Sequence, residues 1–278
     1  MVRIIADSTC DIELDQQQKL NIDIIPMHLF FEGEEFIDGV TITTKQFYEK
    51  LETTPELPKT TQITPAVFSE IFKKYIDNGD EIVCLTLSSE LSGTYQSAKI
   101  AQKEIAPDKI FVIDSRTVTF GFGLIVHEAI KLRDKGLSAK EIFDEIEVLK
   151  DKQILYGIVD TLKYLSMGGR LSRTSAVIGT VLKIKPVVFI GEGKIVSIGK
   201  ERGYSKSKDF VLKKISENKI DTSRLVIFGA SKDMTLRENF MKETLPILKV
   251  ENYIEMKLGA AVGTHAGPNC VGIAYFKK

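Results

Sequence analysis

The sequence predicts a two-domain α/β protein, with a parallel α/β domain over residues 1–155 and a mixed-sheet α/β domain over residues 156–278. Three observations carry this expectation. The 278 residues are 43% hydrophobic and 27% charged, an ordinary globular composition whose length suits two domains of moderate size. The first half alternates short apolar runs with amphipathic stretches, the pattern of a parallel sheet covered on both faces. The second half contains a hairpin signal, which an all-parallel sheet does not accommodate.

In chain order, strands are predicted at Val2 to Ala6, Ile22 to Pro26, Ile82 to Leu87 and Ile110 to Asp114. The clearest helix between them starts with Thr64 as N-cap and Pro65 at its first position. It carries Phe68, Ile71, Phe72, Tyr75 and Ile76 at helical spacing and ends before Gly79. Ser138 with Glu141 forms a capping box ahead of Ile142, Ile146 and Leu149, placing one more helix up to about Lys150. The second half opens with a strand at Ile154 to Asp160 and a Gly-interrupted segment through Pro186. The hairpin then pairs Pro186 to Ile190 with Ile195 to Ile198 across Gly191-Glu192-Gly193-Lys194. A helix from about Ser205 to Glu217, a strand at Leu225 to Gly229 and a helix through Leu236 and Met241 follow. Strands near Val250 to Met256 and Val271 to Phe276 complete the chain.

Composition excludes several classes of function. Lys+Arg 38 balances Asp+Glu 38, so the basic footprint of a nucleic-acid binder is missing. The N-terminus turns acidic too soon for a signal-peptide core, and no apolar run approaches the ~18 residues of a membrane helix, so a cytoplasmic location is expected. Cys10, Cys84 and Cys270 are too few and too far apart for a disulfide framework or a zinc site, and no two histidines fall at metal-ligand spacing. The phosphate-loop, dinucleotide and nucleophile-elbow signatures are all missing.

Ligands of open parallel sheets bind beyond the carboxyl ends of the strands. Here those loops concentrate hydroxyls: Asp7-Ser8-Thr9, Ser88-Ser89-Glu90-Leu91-Ser92-Gly93-Thr94, Asp114-Ser115, and Lys59-Thr60-Thr61-Gln62 before the capped helix. Such residues also cap helices and close turns. Ser92-Gly93 stands out, since Gly93 admits close backbone approach and Ser92 with the following helix amides suits an oxyanion. His265, in Gly263-Thr264-His265-Ala266-Gly267-Pro268, reads as presented from a Gly-rich turn, though a lone histidine is often only a hydrogen-bonded turn residue. His28 and His127 read as structural. Gly168-Gly169-Arg170 suits a guanidinium beside an anion or, equally, a turn with a solvated arginine. Its neighbours Lys163, Arg173, Lys183 and Lys185 add positive charge that fits an anion better than a nucleic acid.

At these residues the chain resembles the DegV family, bacterial fatty acid-binding proteins whose characterised members serve as the FakB-type subunit of fatty acid kinase. The likeness runs end to end. It lies in Asp7-Ser8-Thr9-Cys10-Asp11, in Thr60-Thr61-Gln62-Ile63-Thr64-Pro65 and in the stretch from Leu87 to Ala98. Gly168-Gly169-Arg170-Leu171-Ser172 and Gly263 to Pro268 continue it. Two departures are Thr61-Gln62-Ile63 where the family usually has Ser-Gln-Pro, and Asn269 where it usually has Gly. The resemblance implies a three-layer parallel domain and a mixed-sheet domain, with the lipid carboxylate held between them and the alkyl chain buried in the second. It implies that Ser92, Gly93, Thr60, Thr61 and His265 bind the carboxylate. It also implies that a separate ATP-dependent kinase subunit phosphorylates the carboxylate, and that Asp38, Arg170 and Arg202 act in that transfer. No cofactor is implied beyond the bound long-chain fatty acid, and lipid exchange leaves room for transient membrane contact. Alternatives from other classes are a Ser92/His265 acyl hydrolase or transferase, and a small-metabolite binding module.

Overall fold

The structure, a computed structural model, describes residues 1–54, 56–172 and 183–278. In chain order it runs β1 (Val2–Asp7), α1 (Leu14–Leu20), β2 (Ile22–Ile25), β3 (His28–Phe31), β4 (Glu34–Ile37), α2 (Thr44–Thr53) and β5 (Lys59–Thr61). Next come α3 (Pro65–Ile76), β6 (Glu81–Thr86), α4 (Thr94–Ile105), β7 (Ile110–Asp114), α5 (Thr119–Asp134), α6 (Ala139–Leu149) and β8 (Gln153–Val159). The remainder is α7 (Lys163–Met167), β9 (Ile184–Gly191), β10 (Lys194–Arg202), α8 (Tyr204–Asn218), β11 (Val226–Ala230), α9 (Met234–Leu248), β12 (Tyr253–Lys257), α10 (Ala260–Ala266) and β13 (Cys270–Phe276).

The first domain is built on a parallel sheet in the order β2-β1-β6-β7. Its central strands are apolar on both faces, since Ile4, Ile5, Val83 and Cys84 are all fully buried between helical layers. The second domain is a mixed sheet in the order β10-β9-β8-β13-β11-β12, in which β11 and β12 run parallel and the other pairings are antiparallel. The expected hairpin is β9–β10. Its two turn residues, Glu192 and Gly193, both have positive φ, as the right-handed strand twist requires of a two-residue hairpin loop.

One part of the fold departs from the sequence expectation. A third, antiparallel sheet β4-β3-β5 sits on the first domain; the sequence shows a strand-like run at Met27 to Phe31, which is β3, but does not predict β4 or β5. Its strands are three or four residues long, too short for a period-two pattern to stand out. The hairpin β3–β4 nonetheless turns through Glu32-Gly33, with both φ positive, the same device as Glu192-Gly193. Thr64 does precede α3, but its side chain makes no capping bond, and Pro65 supplies the start instead.

Helix α5 links the two large sheets. Its Phe120, Phe122, Leu124, Ile125 and Val126 are all buried, as expected of a helix packed on both sides. It packs against β1 of the first sheet and against β8, β11 and β13 of the second. Among the described residues no helix is long and apolar enough to cross a membrane.

The capping box of α6 is formed as expected: Glu141 N–H donates to Ser138 Oγ (3.3 Å), and Ser138 N–H donates to Glu141 Oε2 (2.9 Å). Ser138→Ala is therefore expected to destabilise the protein by about 1 kcal/mol. In urea titration this appears as a lowered midpoint at unchanged slope.

Candidate functional site

Between α5, α10 and the inner face of the six-stranded sheet lies a cavity of about 280 Å³. Alternation along the strands decides what it sees. Leu155, Gly157 and Val159 of β8, Val188 and Ile190 of β9, and Cys270 and Gly272 of β13 point inward. The intervening Tyr156, Ile158, Val187 and Ile273 pack on the far side of the sheet. Leu87, Leu91, Leu165 and Val262 add apolar wall.

Thr60, Thr61, Gln62, Ser92 and His265 gather at one end, while Thr9 and Thr119, which also line the cavity, have their hydroxyls bonded to Asp7 and Asp11. Thr60 lies on β5, whose alternation leaves Thr60 half-buried and turns Thr61 out to solvent. Both line the cavity, but Thr60 is the one that meets His265, with Oγ1 to Nε2 at 3.2 Å. Ser92 and Gly93 stand at the start of α4. The Ser92 hydroxyl accepts from Thr94 N–H (3.3 Å) and shares a hydrogen bond with the Thr94 hydroxyl (3.0 Å), so it is held facing the helix start. The space left by the missing Cβ of Gly93 is filled by Gln62, whose amide would collide with any side chain there. Thus Gly93 makes room for a protein group, where the sequence suggested room for a ligand. Gln62, which also donates from Nε2 to Ser97 Oγ (3.4 Å), is a mouth residue the sequence reading passed over.

His265 is not on a turn. It lies near the end of helix α10, which closes at Gly267, a residue with φ of +83°. The GTHAGP run reads as a turn because its glycines are breakers by propensity. Here Gly263 instead allows close packing on Phe47 and Tyr48, which a Cβ would strike. Gly168 serves His265 similarly, since a Cβ on it would run into the ring at Nδ1. Burial, and secondarily the Arg170 charge, bring the His265 pKa down to about 4, so the ring is neutral at pH 7. Its Nδ1 is buried with no hydrogen-bond partner.

Arg170 lines the cavity, but its guanidinium is turned to backbone rather than solvent: Nε donates to Leu91 O (3.2 Å) and Nη1 to Gly168 O (2.6 Å). It ties the hydroxyl loop to the His265 platform. Arg202 is the last residue of β10 and is exposed. Arg202 and Asp38 are not among the cavity's lining residues. Asp38 is buried, accepting from Ser8 Oγ (2.8 Å) and from Ala260 N–H (3.1 Å) at the start of α10. Asp11, which is not among the expected site residues, accepts from the neighbouring Gly259 N–H (3.0 Å). Burial raises both carboxyl pKa values, and that of Asp7, which accepts from Leu87 N–H (2.8 Å), is pushed up to about 6. Arg173 lies outside the described residues. His28 pairs with Glu35 on the surface, and His127 is half-buried on α5. The three cysteines are free and buried. Among the described residues no group of three or more His, Cys, Asp or Glu is placed to hold a metal.

Two α/β sheets, a shared helix between them and an apolar cavity with a polar mouth define a two-domain small-molecule-binding architecture. Sequence comparison places it: the chain belongs to the DegV family, whose sequence model, described as that of an uncharacterised protein family, it matches over residues 1–278. It is 33% identical over 281 residues to a DegV domain-containing protein of Caldanaerobacter subterraneus, covering 100% of this chain and 99% of the relative. Among solved structures, a DegV family protein from Thermus thermophilus described by its fatty acid binding superposes with a TM-score of 0.91 at 28% identity, covering 100% and 99% of the two chains. A stearic acid-binding protein from Eubacterium ventriosum gives 0.91 at 29%, with the same coverage. DegV of Bacillus subtilis, also described as fatty acid-binding, gives 0.87 at 27%, again covering 100% and 99%.

The lowered His265 pKa has a measurable consequence. A ring kept neutral by the fold stabilises it fully above the ordinary value of 6.5, and that contribution is lost as pH falls through about 4. His265→Gln is expected to remove up to about 3 kcal/mol of this acid sensitivity. Unfolding of wild type and variant measured from pH 7 to 4 should show the difference closing, then shifting in favour of the variant.

Proposed function

We propose that the protein binds a long-chain fatty acid and presents its carboxylate to a separate ATP-dependent fatty acid kinase subunit for acyl-phosphate formation. The observation that carries this is the asymmetry of the cavity: apolar walls along its length, and Thr60, Ser92 and His265 at one end. A carboxylate leaving water must regain its hydrogen bonds; the hydrogen-bonded pair Thr60–His265 keeps one donor free and the Ser92 hydroxyl can supply a second. About 15 buried methylenes at ~0.8 kcal/mol each contribute ~12 kcal/mol before ordering costs, so the chain supplies affinity and the mouth supplies orientation. The likeness to the fatty acid-binding proteins of T. thermophilus and E. ventriosum supports the same ligand class.

A Ser92/His265 hydrolase is disfavoured by the geometry. The Ser92 hydroxyl is bonded to Thr94 and the imidazole to Thr60. Among the described residues no carboxylate stands behind His265 Nδ1, and a pKa of about 4 makes the ring a weak base. In the proposed transfer, phosphoryl movement to a carboxylate spreads negative charge over its oxygens, and Arg202 and Arg170 offset it. Asp38 acts from outside the cavity. Lipid enters and leaves through transient membrane contact.

Denaturing the purified protein and analysing the extract by mass spectrometry is expected to release a long-chain fatty acid at near-stoichiometric amount. Extracts without fatty acid, together with no thermal stabilisation on adding one, would refute the proposal. Thr60→Ala or Ser92→Ala should each cost ~1 to 3 kcal/mol of binding while most chain-burial affinity survives. Arg202→Ala should keep its fatty acid and lose acyl-phosphate formation when mixed with a fatty acid kinase subunit and ATP. Phosphorylation at the wild-type rate would remove Arg202 from the transfer step.

A further inference from the structure

Three glycines lie in one row across the inner face of the six-stranded sheet. Gly229 of β11 is opposite Gly272 of β13, and Gly272 is opposite Gly157 of β8. With strands ~4.8 Å apart, three positions without side chains leave a trough about 10 Å wide. Its ends are closed. The Phe120 ring from α5 stands on Gly229, where any Cβ would collide with the ring tip. Val188 closes the other side, 3.1 Å from where a Cβ on Gly157 would be. Gly157, Gly272, Phe120 and Val188 line the cavity, and the Phe120 ring reaches 3.6 Å from where a Cβ on Gly272 would be, so the ligand space of the trough lies over Gly157 up to the ring edge at Gly272.

Helix α10 gives this trough its place along the cavity. Leu258, Ala261, Val262, His265 and Ala266 face the cavity at helical spacing, so the helix runs alongside it with His265 towards one end. At the opposite end, Asp11 binds both the Gly259 amide and the Thr119 hydroxyl, and Thr119 precedes Phe120. Phe120 therefore stands towards the end away from Thr60 and His265.

We propose that Phe120, seated on Gly229, is the end wall that sets the longest acyl chain this protein takes, with Gly157 and Gly272 as the floor under the last carbons. This rests on the fatty acid reading above. The wall is a ring that fills a gap in the sheet, so a smaller side chain at 120 lengthens the cavity into the trough. A side chain at 157 fills the trough and shortens it.

The test offers delipidated wild type and variants an equimolar series of saturated fatty acids of graded length, and reads the bound species by native mass spectrometry. Phe120→Ala should move the preferred length upward by about two carbons or more, as the vacated ring volume becomes available. Gly157→Val should move it downward. Phe120→Leu, a milder change that serves if the alanine variant does not fold, should shift the preference upward by less. Uptake of fatty acids by the wild type with the same length distribution in folded Phe120 and Gly157 variants would overturn the end-wall assignment alone. No uptake by the wild type would instead overturn the fatty acid reading on which it rests.

Discussion

An apolar cavity of about 280 Å³ inside a folded chain is the constraint to which the rest of this structure answers. Apolar side chains that line such a space lack packing partners on one side, which lowers the stability of the fold. The cavity stays open because each wall is fixed by something other than contact across it. β8, β13 and β9 are interior strands of the mixed sheet, and their other face is packed by Tyr156, Val187 and Ile273. Helix α5 packs on both large sheets and cannot collapse inward without leaving one of them. A ligand that fills the void returns the missing dispersion contacts, so occupancy and stability are linked.

The polar mouth depends on a second device, the seating of α10. A seven-residue helix is marginal on its own. Here its first amides are bound by two buried carboxyl groups from the other domain, Asp11 at Gly259 and Asp38 at Ala260. Burial raises both pKa values, a sign that desolvation outweighs the hydrogen bonds they accept. The same contacts orient His265, two helical turns away, against Thr60 of the first domain. Asp38 thus shapes the site from a distance, and any part in phosphoryl transfer is superimposed on that structural work.

Much of this was legible in the sequence where a local rule suffices. The capping box at Ser138, the Pro65 helix start and the Gly191-to-Lys194 hairpin follow from nearest-neighbour chemistry, and the structure has all three. The β3–β4 hairpin uses the same positive-φ turn at Glu32-Gly33, but its strands are too short for alternation to register beside it. His265 shows the limit differently. Glycine has the conformational freedom of a turn former, yet Gly263 is in a helix, where aromatic side chains 215 residues or more away in sequence leave no room for a Cβ. The glycine row is invisible for the same reason: Gly157, Gly229 and Gly272 align only through strand register, which no local pattern encodes.

Under the proposed reading, the mouth would be chemically unusual for an anion site in that its donors are neutral. His265 is uncharged at pH 7, Thr60 and Ser92 are hydroxyls, and the nearby cation, Arg170, already donates to two backbone carbonyls. For a protein that only stores a carboxylate, a bidentate arginine would hold it more strongly. Under the proposed transfer a strong ion pair is a disadvantage, because it stabilises the ground-state carboxylate and so lowers its tendency to attack phosphorus. Neutral donors orient the oxygen and leave its charge largely unspent. The affinity they forgo is recovered along the chain, where burial stabilises the ground state and the transition state equally and leaves the reacting end free.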